Sequence, residues 1–345
     1  MKRVSILVLL VAGPAGAMAQ SCEPEGDLRF VCGLNAVEDL VQVGDSRWLL
    51  GSGLGGGGNP GTLVLVDSEA KTGEVIYPAE GAAAAHARER FPGCASPPDA
   101  SVFNAHGITL RATGPGRYEF LVVNHGGREA VEFFDVDARG AKPALTWIGC
   151  VTMPPDTSIN SLDTLPDGGF VVTHFYTPSK GGMGAVFDGE ITGGLLEWHP
   201  GGEVTPIPGT ELSGANGVAL SDGGRVIHVA AWGTRDLVRF ERRGGAVTKR
   251  AVPVDFALDN IRWTADGNLL IAGQKFVPRR EGPERLDGWT VAVYDPDSLE
   301  LVAKLKEVDG TAAFQGVSSA LEVGDTIWVG PFQGDRIAYF PSPRR

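Results

Sequence analysis

The sequence has fewer basic than acidic residues, and its body lacks long apolar runs. Lys and Arg number 30 against 42 Asp and Glu, so the formal net charge is −12. A surface of that sign repels polyanions, and we expect no nucleic-acid partner. After the first twenty residues, no stretch reaches the ~20 uninterrupted apolar residues that a membrane helix requires. We therefore expect no membrane span.

Motifs of several common enzyme classes are also missing. There is no G-x-S-x-G elbow, which is the usual signal of a serine hydrolase. The glycine cluster at 53–58 is not followed by a Lys-Ser/Thr pair, so a phosphate-binding loop is not indicated. Long amphipathic helical periodicity is absent, whereas 49 Gly and 23 Pro supply turns. These features together predict an all-β chain.

The N-terminus predicts a secretory signal. Two basic residues, an apolar run at 4–12 and an Ala-Met-Ala cleavage site at 17–19 follow the initiator Met. We expect residues 1–19 to be removed. Residues 20–345 are then predicted to form a single domain that is exported to the periplasm or the medium.

The four cysteines are expected to form disulfides, because an exported protein meets an oxidising compartment. No C-x-x-C spacing supports a cysteine metal site. Three connectivities can be drawn, and we favour Cys22–Cys32 with Cys94–Cys150. Cys94 and Cys150 each come shortly before a repeated signature, and neighbouring repeats would bring them together.

A short strand-turn-strand signature occurs six times. Each begins with a polar residue that stands two positions before an apolar one, and the six pairs are Glu38/Leu40, His106/Ile108, Asn160/Leu162, Asn216/Val218, Asp259/Ile261 and Gln315/Val317. The polar residues are separated by 68, 54, 56, 43 and 56 residues. Such spacing fits the ~40–50-residue blade of a β-propeller with loop insertions. The sequence thus predicts a six-bladed β-propeller, with 28–34 supplying the missing strand of the last blade.

The inner strands of a propeller line its central channel, so the signature positions should form a ring. Glu38, Asn160, Asn216 and Asp259, with the adjacent Asn260, offer only oxygen atoms. Alone, each is more often a turn residue that bonds the nearby backbone. Together they would be buried polar groups that cost ~1–3 kcal/mol each if left unpaired. A hard cation with roughly 6–8 oxygen ligands would satisfy them, which favours Ca²⁺ over Zn²⁺ and leaves Mg²⁺ and Mn²⁺ open.

Two histidines are candidates for acid-base chemistry. His106 occupies the second ring position, and His125 ends the following strand. An imidazole beside a metal-bound carbonyl can take a proton from water, since its ordinary pKa is ~6.5. A hydrogen-bonded structural histidine is the alternative for both.

Seven short motifs resemble the paraoxonase/arylesterase family. In order they are 37–40 (VEDL), 104–108 (NAHGI), 122–125 (VVNH), 158–160 (SIN), 215–218 (ANGV), 259–261 (DNI) and 310–316 (GTAAFQG). More distantly, the sequence is similar to gluconolactonase/regucalcin-like and strictosidine-synthase-like propellers.

The resemblance implies a six-bladed propeller with a catalytic Ca²⁺ ion, water activation by His106 and His125, and hydrolysis of lactones and aryl esters. The implied ligands of that ion are Glu38, Asn160, Asn216, Asp259 and Asn260. The resemblance also implies a second, structural Ca²⁺ held by Asp39, the carbonyl of Ile108 and an Asp at the position of Ser161. Serine at that position departs from the family pattern.

The expected function is therefore a Ca²⁺-dependent lactonase or arylesterase with a small-molecule lactone or ester substrate. Two alternatives are kept. One is a non-catalytic propeller that binds a ligand or protein around a structural metal, and the other is a sugar lactonase of the gluconolactonase type.

Overall fold

A computed structural model of the chain describes residues 22–277, 285–310 and 312–344. The predicted signal segment at 1–19 lies outside these ranges, as does Thr311 of the last motif. The described residues form six sheets arranged as the blades of a β-propeller, and the strand pairs are antiparallel apart from one short parallel pair in the second sheet. The predicted fold class is confirmed.

The first three blades follow an N-terminal strand, β1 (Arg29–Cys32), and each runs outwards from the channel in chain order. Blade one contains β2 (Val37–Gln42), β3 (Trp48–Gly53), β4 (Thr62–Asp67) and β5 (Thr72–Tyr77). Blade two contains β7 (Ala105–Gly114), β8 (Arg117–Asn124), β9 (Ala130–Asp137) and β10 (Ala144–Thr152), with the short β6 (Ala83–Ala84), which precedes them in the chain, added parallel at the outer edge. Blade three contains β11 (Ser158–Thr164), β12 (Phe170–Tyr176), β13 (Gly194–Trp198) and β14 (Thr205–Pro206).

The last three blades repeat the pattern. Blade four contains β15 (Ala215–Ser221), β16 (Val226–Ala231), β17 (Asp236–Arg243) and β18 (Ala246–Pro253). Blade five contains β19 (Ala257–Trp263), β20 (Leu269–Val277), β21 (Arg285–Tyr294) and β22 (Leu301–Asp309). Blade six contains β23 (Val317–Val323), β24 (Thr326–Pro331) and β25 (Arg336–Pro341).

The N-terminal strand closes the ring as predicted. β1 pairs antiparallel with β25, from Arg29 opposite Tyr339 to Cys32 opposite Arg336. It becomes the outer strand of blade six. Because the two ends of the described chain share one sheet, opening the ring would require breaking that ladder.

Both faces of a blade are covered by neighbouring blades, so the middle strands are apolar on both sides. All residues of β3 and of β16 are buried. The inner strands touch one another in sequence around the axis, and β23 returns to β2. This packing brings residues that are far apart in sequence to one central channel.

The glycine-containing segment 180–194 contains a short helix, α1 (Gly182–Phe187). Ala185 and Val186 of α1 are buried, which explains why the segment folds locally. Two 3₁₀ turns, Pro178–Lys180 and Asp222–Gly224, complete the helical content of the described ranges. No helix there is both long and apolar enough to cross a bilayer.

Both predicted disulfides are present, Cys22–Cys32 and Cys94–Cys150. The expected reason for the second was wrong, because it joins parts of one blade. Cys94 lies in the loop between β6 and β7, and that loop runs along β10, where Ala85 and Ala87 donate to backbone carbonyls of Trp147 and Ile148. The bridge therefore fastens a loop to the outer strand of blade two.

Candidate metal centre

The inner strands of blades one to five each have a β-bulge at the signature residue. The pairing of β2 with β3 skips Glu38, and the pairing of β7 with β8 skips residues 106 and 107. The ladders of β11, β15 and β19 skip 160–161, 216–217 and 259–260 in the same way. A bulge redirects a side chain out of the regular alternation of a strand. The shared offset in the sequence thus corresponds to a shared backbone irregularity.

Blade six differs from the prediction. Gln315 precedes β23, and the bulge of that strand lies at Ser318, between Val317 and Ser319. The Ser318 hydroxyl donates to the carbonyls of Glu38 (2.7 Å) and Gly330 (3.2 Å). A polar residue two positions before an apolar one occurs twice here, at Gln315 and at Ser318, and the pattern alone does not separate them.

The predicted metal ligands come together as two contacting groups. Asn260 Nδ2 donates to Glu38 Oε1 over 2.7 Å, and Glu38 Oε1 lies 3.8 Å from His106 Nε2. Asn160 Nδ2 lies 3.5 Å from the same His106 nitrogen. In the second group, Asn216 hydrogen-bonds the carboxylate of Asp259. All five predicted ligands are buried, with Asp259 the most exposed at 6%.

Four oxygen atoms of this cluster are buried without a hydrogen-bond partner. They are Glu38 Oε2, Asn160 Oδ1, Asn216 Oδ1 and Asn260 Oδ1. Buried acceptors are nearly always satisfied in folded proteins, and each orphan costs about 1–3 kcal/mol. Four orphan oxygens from four different blades fit a hard cation, which accepts oxygen ligands from carboxylates and amides alike.

The donor set is poor in the ligands that softer metals prefer. Within 22–277, 285–310 and 312–344, no three His, Cys, Asp or Glu side chains form a metal-binding group of their own. The cluster instead combines two carboxylates with three amides. Such a mixed oxygen set suits Ca²⁺ better than Zn²⁺.

Burial disfavours the charged forms of the two carboxyl groups in the cluster. Burial raises the pKa of Glu38 well above its ordinary value, and the charges of Asp259 and Asp39 add to that rise. Burial also raises the pKa of Asp259 to about 7. A nearby divalent cation favours the charged form of a carboxyl group and so opposes both shifts.

The two predicted histidines form a hydrogen-bonded pair that ends on a carboxylate. His106 Nδ1 lies 2.8 Å from His125 Nε2, and His125 Nδ1 lies 2.9 Å from Glu129 Oε2. Glu129 Oε1 in turn accepts a 2.6 Å hydrogen bond from the backbone N–H of Ile159. Burial and the neighbouring His125 lower the pKa of His106 well below its ordinary value.

Glu129 fixes the protonation pattern of both rings. A carboxylate only accepts, so His125 must carry its proton on Nδ1 and present an unprotonated Nε2 to His106. His106 must then carry its own proton on Nδ1. Its Nε2, which faces Glu38 and Asn160, is left free to accept a proton. This is the state that a general base requires.

Sequence reasoning missed Glu129. β8 ends at Asn124 and β9 begins at Ala130, so His125 and Glu129 stand at the two ends of one hairpin loop. A His-x-x-x-Glu spacing between two predicted strands was the available signal.

The residues of the implied second metal site already accept hydrogen bonds from backbone N–H groups and from Arg262, so they do not fit an ion. Asp39 accepts hydrogen bonds from the backbone N–H groups of Leu40 (2.8 Å) and Ile108 (3.0 Å). Its Oδ2 also accepts from Arg262 Nη2 at 2.5 Å. The carbonyl of Ile108 accepts from the same nitrogen at 2.9 Å, and position 161 has a hydroxyl in place of a carboxylate.

An aromatic wall begins next to the cluster. Gln274 donates from Nε2 to Asp259 Oδ2 (2.6 Å) and accepts from the indole N–H of Trp232 (2.9 Å). The Trp232 ring packs edge-on against Phe187 at 5.4 Å and Phe276 at 5.5 Å between ring centroids. The Phe187 side chain is half exposed, so apolar surface reaches from the cluster towards solvent.

Comparison with known proteins gives the fold but no closer relationship. No family model matches the chain, and no curated protein matches it in sequence. A solved structure with the provisional name gluconolactonase has 17% identity and a TM-score of 0.57, with 93% of both chains covered. The luciferin-regenerating enzyme has 15% identity and a TM-score of 0.54, over 89% of this chain and 91% of that one.

The calcium-binding protein regucalcin from Agrobacterium tumefaciens has 12% identity and a TM-score of 0.52, over 90% of this chain and 91% of that one. This chain has the gluconolactonase/regucalcin-like propeller fold. The more distant resemblance seen in the sequence is thereby confirmed at the level of fold. The resemblance to paraoxonases and arylesterases stays a prediction.

Proposed function

We propose that this protein is a Ca²⁺-dependent hydrolase of lactones and aryl esters. The observation that carries the proposal is the position of the His106 Nε2 atom. It faces a buried cluster with four orphan oxygen atoms, while its other nitrogen is held by the His125–Glu129 chain. A cation site and a general base therefore share one small volume. The gluconolactonase name of one structural neighbour agrees with this class of chemistry but belongs to that protein.

Glu38, Asn160, Asn216, Asp259 and Asn260 would hold the ion. When bound, Ca²⁺ supplies positive charge that stabilises the oxygen of a polarised ester carbonyl. His106 Nε2 takes a proton from the attacking water, and the positive charge that arises on the ring is stabilised through His125 by Glu129. His106 then returns the proton to the leaving alkoxide or phenolate. The water oxygen is by then bonded to the carbonyl carbon, and the ester C–O bond breaks in this step. The products are an acid and a phenol from an aryl ester, or one hydroxy acid from a lactone.

The aromatic wall suits an apolar or aryl substituent. Trp232, Phe187 and Phe276 pack edge to face beside the cluster, and aromatic rings bury apolar groups well. Sugar-lactone hydrolysis is the second candidate function, and the provisional gluconolactonase name of one structural neighbour is its support.

Export is proposed on two grounds. The signal-like N-terminus predicts it, and two disulfides with no free cysteine in the described ranges suit an oxidising compartment. The proposed location of the mature protein is the periplasm or the medium.

A hydrolysis screen tests the function directly. Purified protein is assayed on aliphatic lactones, aryl esters and sugar lactones, with Ca²⁺ and with chelator. The matched variants are Glu38→Gln in the cluster and Glu69→Gln on the surface, where the side chain is 73% exposed. We expect activity on the first two substrate classes, dependent on Ca²⁺, lost in Glu38→Gln and kept in Glu69→Gln. Hydrolysis of sugar lactones alone would favour the second candidate, and no hydrolysis by the Ca²⁺-loaded protein would favour a binding propeller.

A further inference from the structure

The side chain of Arg262 connects three blades beside the central channel. Its Nη2 donates to Asp39 Oδ2 (2.5 Å) and to the carbonyl of Ile108 (2.9 Å), and its Nε donates to the carbonyl of Leu40 (3.1 Å). Arg262 belongs to β19, whereas its acceptors belong to β2 and β7. The side chain is only 13% exposed, and the Asp39 side chain is fully buried.

The groups around the guanidinium are all oxygen acceptors. A carboxylate and two backbone carbonyls of other blades surround one point, with the carbonyl of the neighbouring Ile261 as a further acceptor of the guanidinium. Hard oxygen atoms of this kind are the ligands that a hard metal ion requires. In this chain a guanidinium occupies that point. Arginine keeps its charge under all relevant conditions, and its planar fork can satisfy several acceptors at once.

We propose that Arg262 is a built-in cation that replaces a second, structural metal ion, so that the protein holds one resident divalent ion. The proposal rests on the proposed function for the first ion, but the structural role of Arg262 does not depend on it. A covalently attached cation ties blades one, two and five together at any metal concentration. Chelation should therefore remove the catalytic ion without separating these blades.

The first test is a count of bound ions. Wild-type protein is equilibrated with Ca²⁺, passed through a desalting column and analysed by plasma mass spectrometry against protein concentration. We expect one Ca²⁺ per chain, and two per chain would overturn the proposal. A count of zero would overturn the single resident ion and the proposed calcium site, but it would agree with a guanidinium in place of the second ion.

The second test measures thermal stability in chelator. Arg262→Ser leaves the Asp39 carboxylate buried without its partner, and we expect the Tm to fall by about 5–10 °C. Arg117→Ser is the matched control, because Arg117 pairs with Asp135 and Asp137 at the surface of one blade. A fall no larger than that of the control would overturn the proposal. If Arg262→Ser does not fold, Arg262→Lys keeps the charge and should show a smaller fall.

The third test asks whether the vacated position takes a cation. Glu38→Gln weakens the proposed catalytic site, so its Tm should respond little to added Ca²⁺. The double variant Glu38→Gln with Arg262→Ser exposes Asp39 and the two carbonyls to a new cation. We expect its Tm to rise with Ca²⁺ in the millimolar range, in contrast to Glu38→Gln alone. Equal responses of the two proteins would contradict the assignment of Arg262 to a cation position.

Discussion

The Nδ1 atom of His106 lies 2.8 Å from the Nε2 atom of His125. This contact joins the inner strand β7 to the loop after β8, and it points the second nitrogen of His106 at the oxygen cluster. Because His125 is itself held by Glu129, the two rings act as one unit with a fixed proton arrangement. The roles of the two histidines are therefore unequal, and substitutions should separate them.

His106→Gln should lower kcat by about 10²–10⁴-fold, because it removes the proposed general base. His125→Gln should have a smaller effect that varies with the substrate, since His125 orients its neighbour and does not face the cluster. Steady-state kinetics on one lactone and one aryl ester measure both. Bound Ca²⁺ and Tm serve as controls and should stay close to wild type in His106→Gln. Near-wild-type turnover of that variant on both substrates would place the base elsewhere, with Asp259 the first candidate.

Glu129→Gln should lower kcat by no more than His125→Gln does, because Glu129 acts through that ring, and it should leave bound Ca²⁺ unchanged. The amide can donate to His125 Nδ1 and so permits the wrong tautomer. Loss of the negative charge should also move the acid limb of the pH–rate profile to lower pH, because a carboxylate stabilises the protonated imidazole. Glu129→Asp keeps the charge and should restore the position of that limb. If Glu129→Gln lost activity with an unchanged profile, a merely structural role would be indicated.

The wild-type pH–rate profile should fall on the acid side. Burial and His125 lower the pKa of His106 below its ordinary value of 6.5, so the ring is neutral and active at pH 7. The kcat/KM value should stay level as pH falls to 6.5 and decline only below it, when His106 takes up a proton. Rates at fixed Ca²⁺ from pH 4.5 to 8.5 measure this. A decline centred above pH 7 would be inconsistent with His106 as the base.

Asp259→Ala should abolish hydrolysis and weaken Ca²⁺ binding, because it removes one of two carboxylates from the cluster. Wild-type Tm should rise with Ca²⁺, since an ion at a hundredfold excess over Kd stabilises the native state by about 2.7 kcal/mol. The Tm of Asp259→Ala should respond much less, and Asp45→Ala, which alters an exposed residue, should behave like wild type. A wild-type Tm that changes with neither Ca²⁺ nor chelator would contradict the proposed calcium site.

Much of the fold was predictable because a propeller repeats one local pattern. The signatures at Glu38 and Asn160 carry enough information to place an inner strand, a turn and a second strand. The segment 28–34 was expected to complete the last blade, and β1 within it pairs with β25 as predicted. The exception is blade six, where both Gln315 and Ser318 stand two positions before an apolar residue. Only the strand pairing shows that the bulge lies at Ser318.

The partners of the site were less predictable because they are set by tertiary distance. Arg262 is separated by 223 residues from Asp39 and by 154 from Ile108, and no repeat relates them. The hydrogen bond of Gln274 to Asp259 depends on the register of β19 with β20. The spacing of the repeats predicts which residues lie around the central channel. The residues that neutralise or orient them can be identified only from the packed structure.

The proposed ester hydrolysis depends on one divalent ion held by the oxygen cluster. A parallel titration of chelator-treated wild-type protein with Ca²⁺ tests this, with bound ion and hydrolysis of a reactive lactone or aryl ester measured in the same samples. We expect activity to rise from background in proportion to occupancy and to reach its plateau at one Ca²⁺ per chain. Full activity in the metal-free protein, or a filled site with no hydrolysis of any ester or lactone tested, would contradict it.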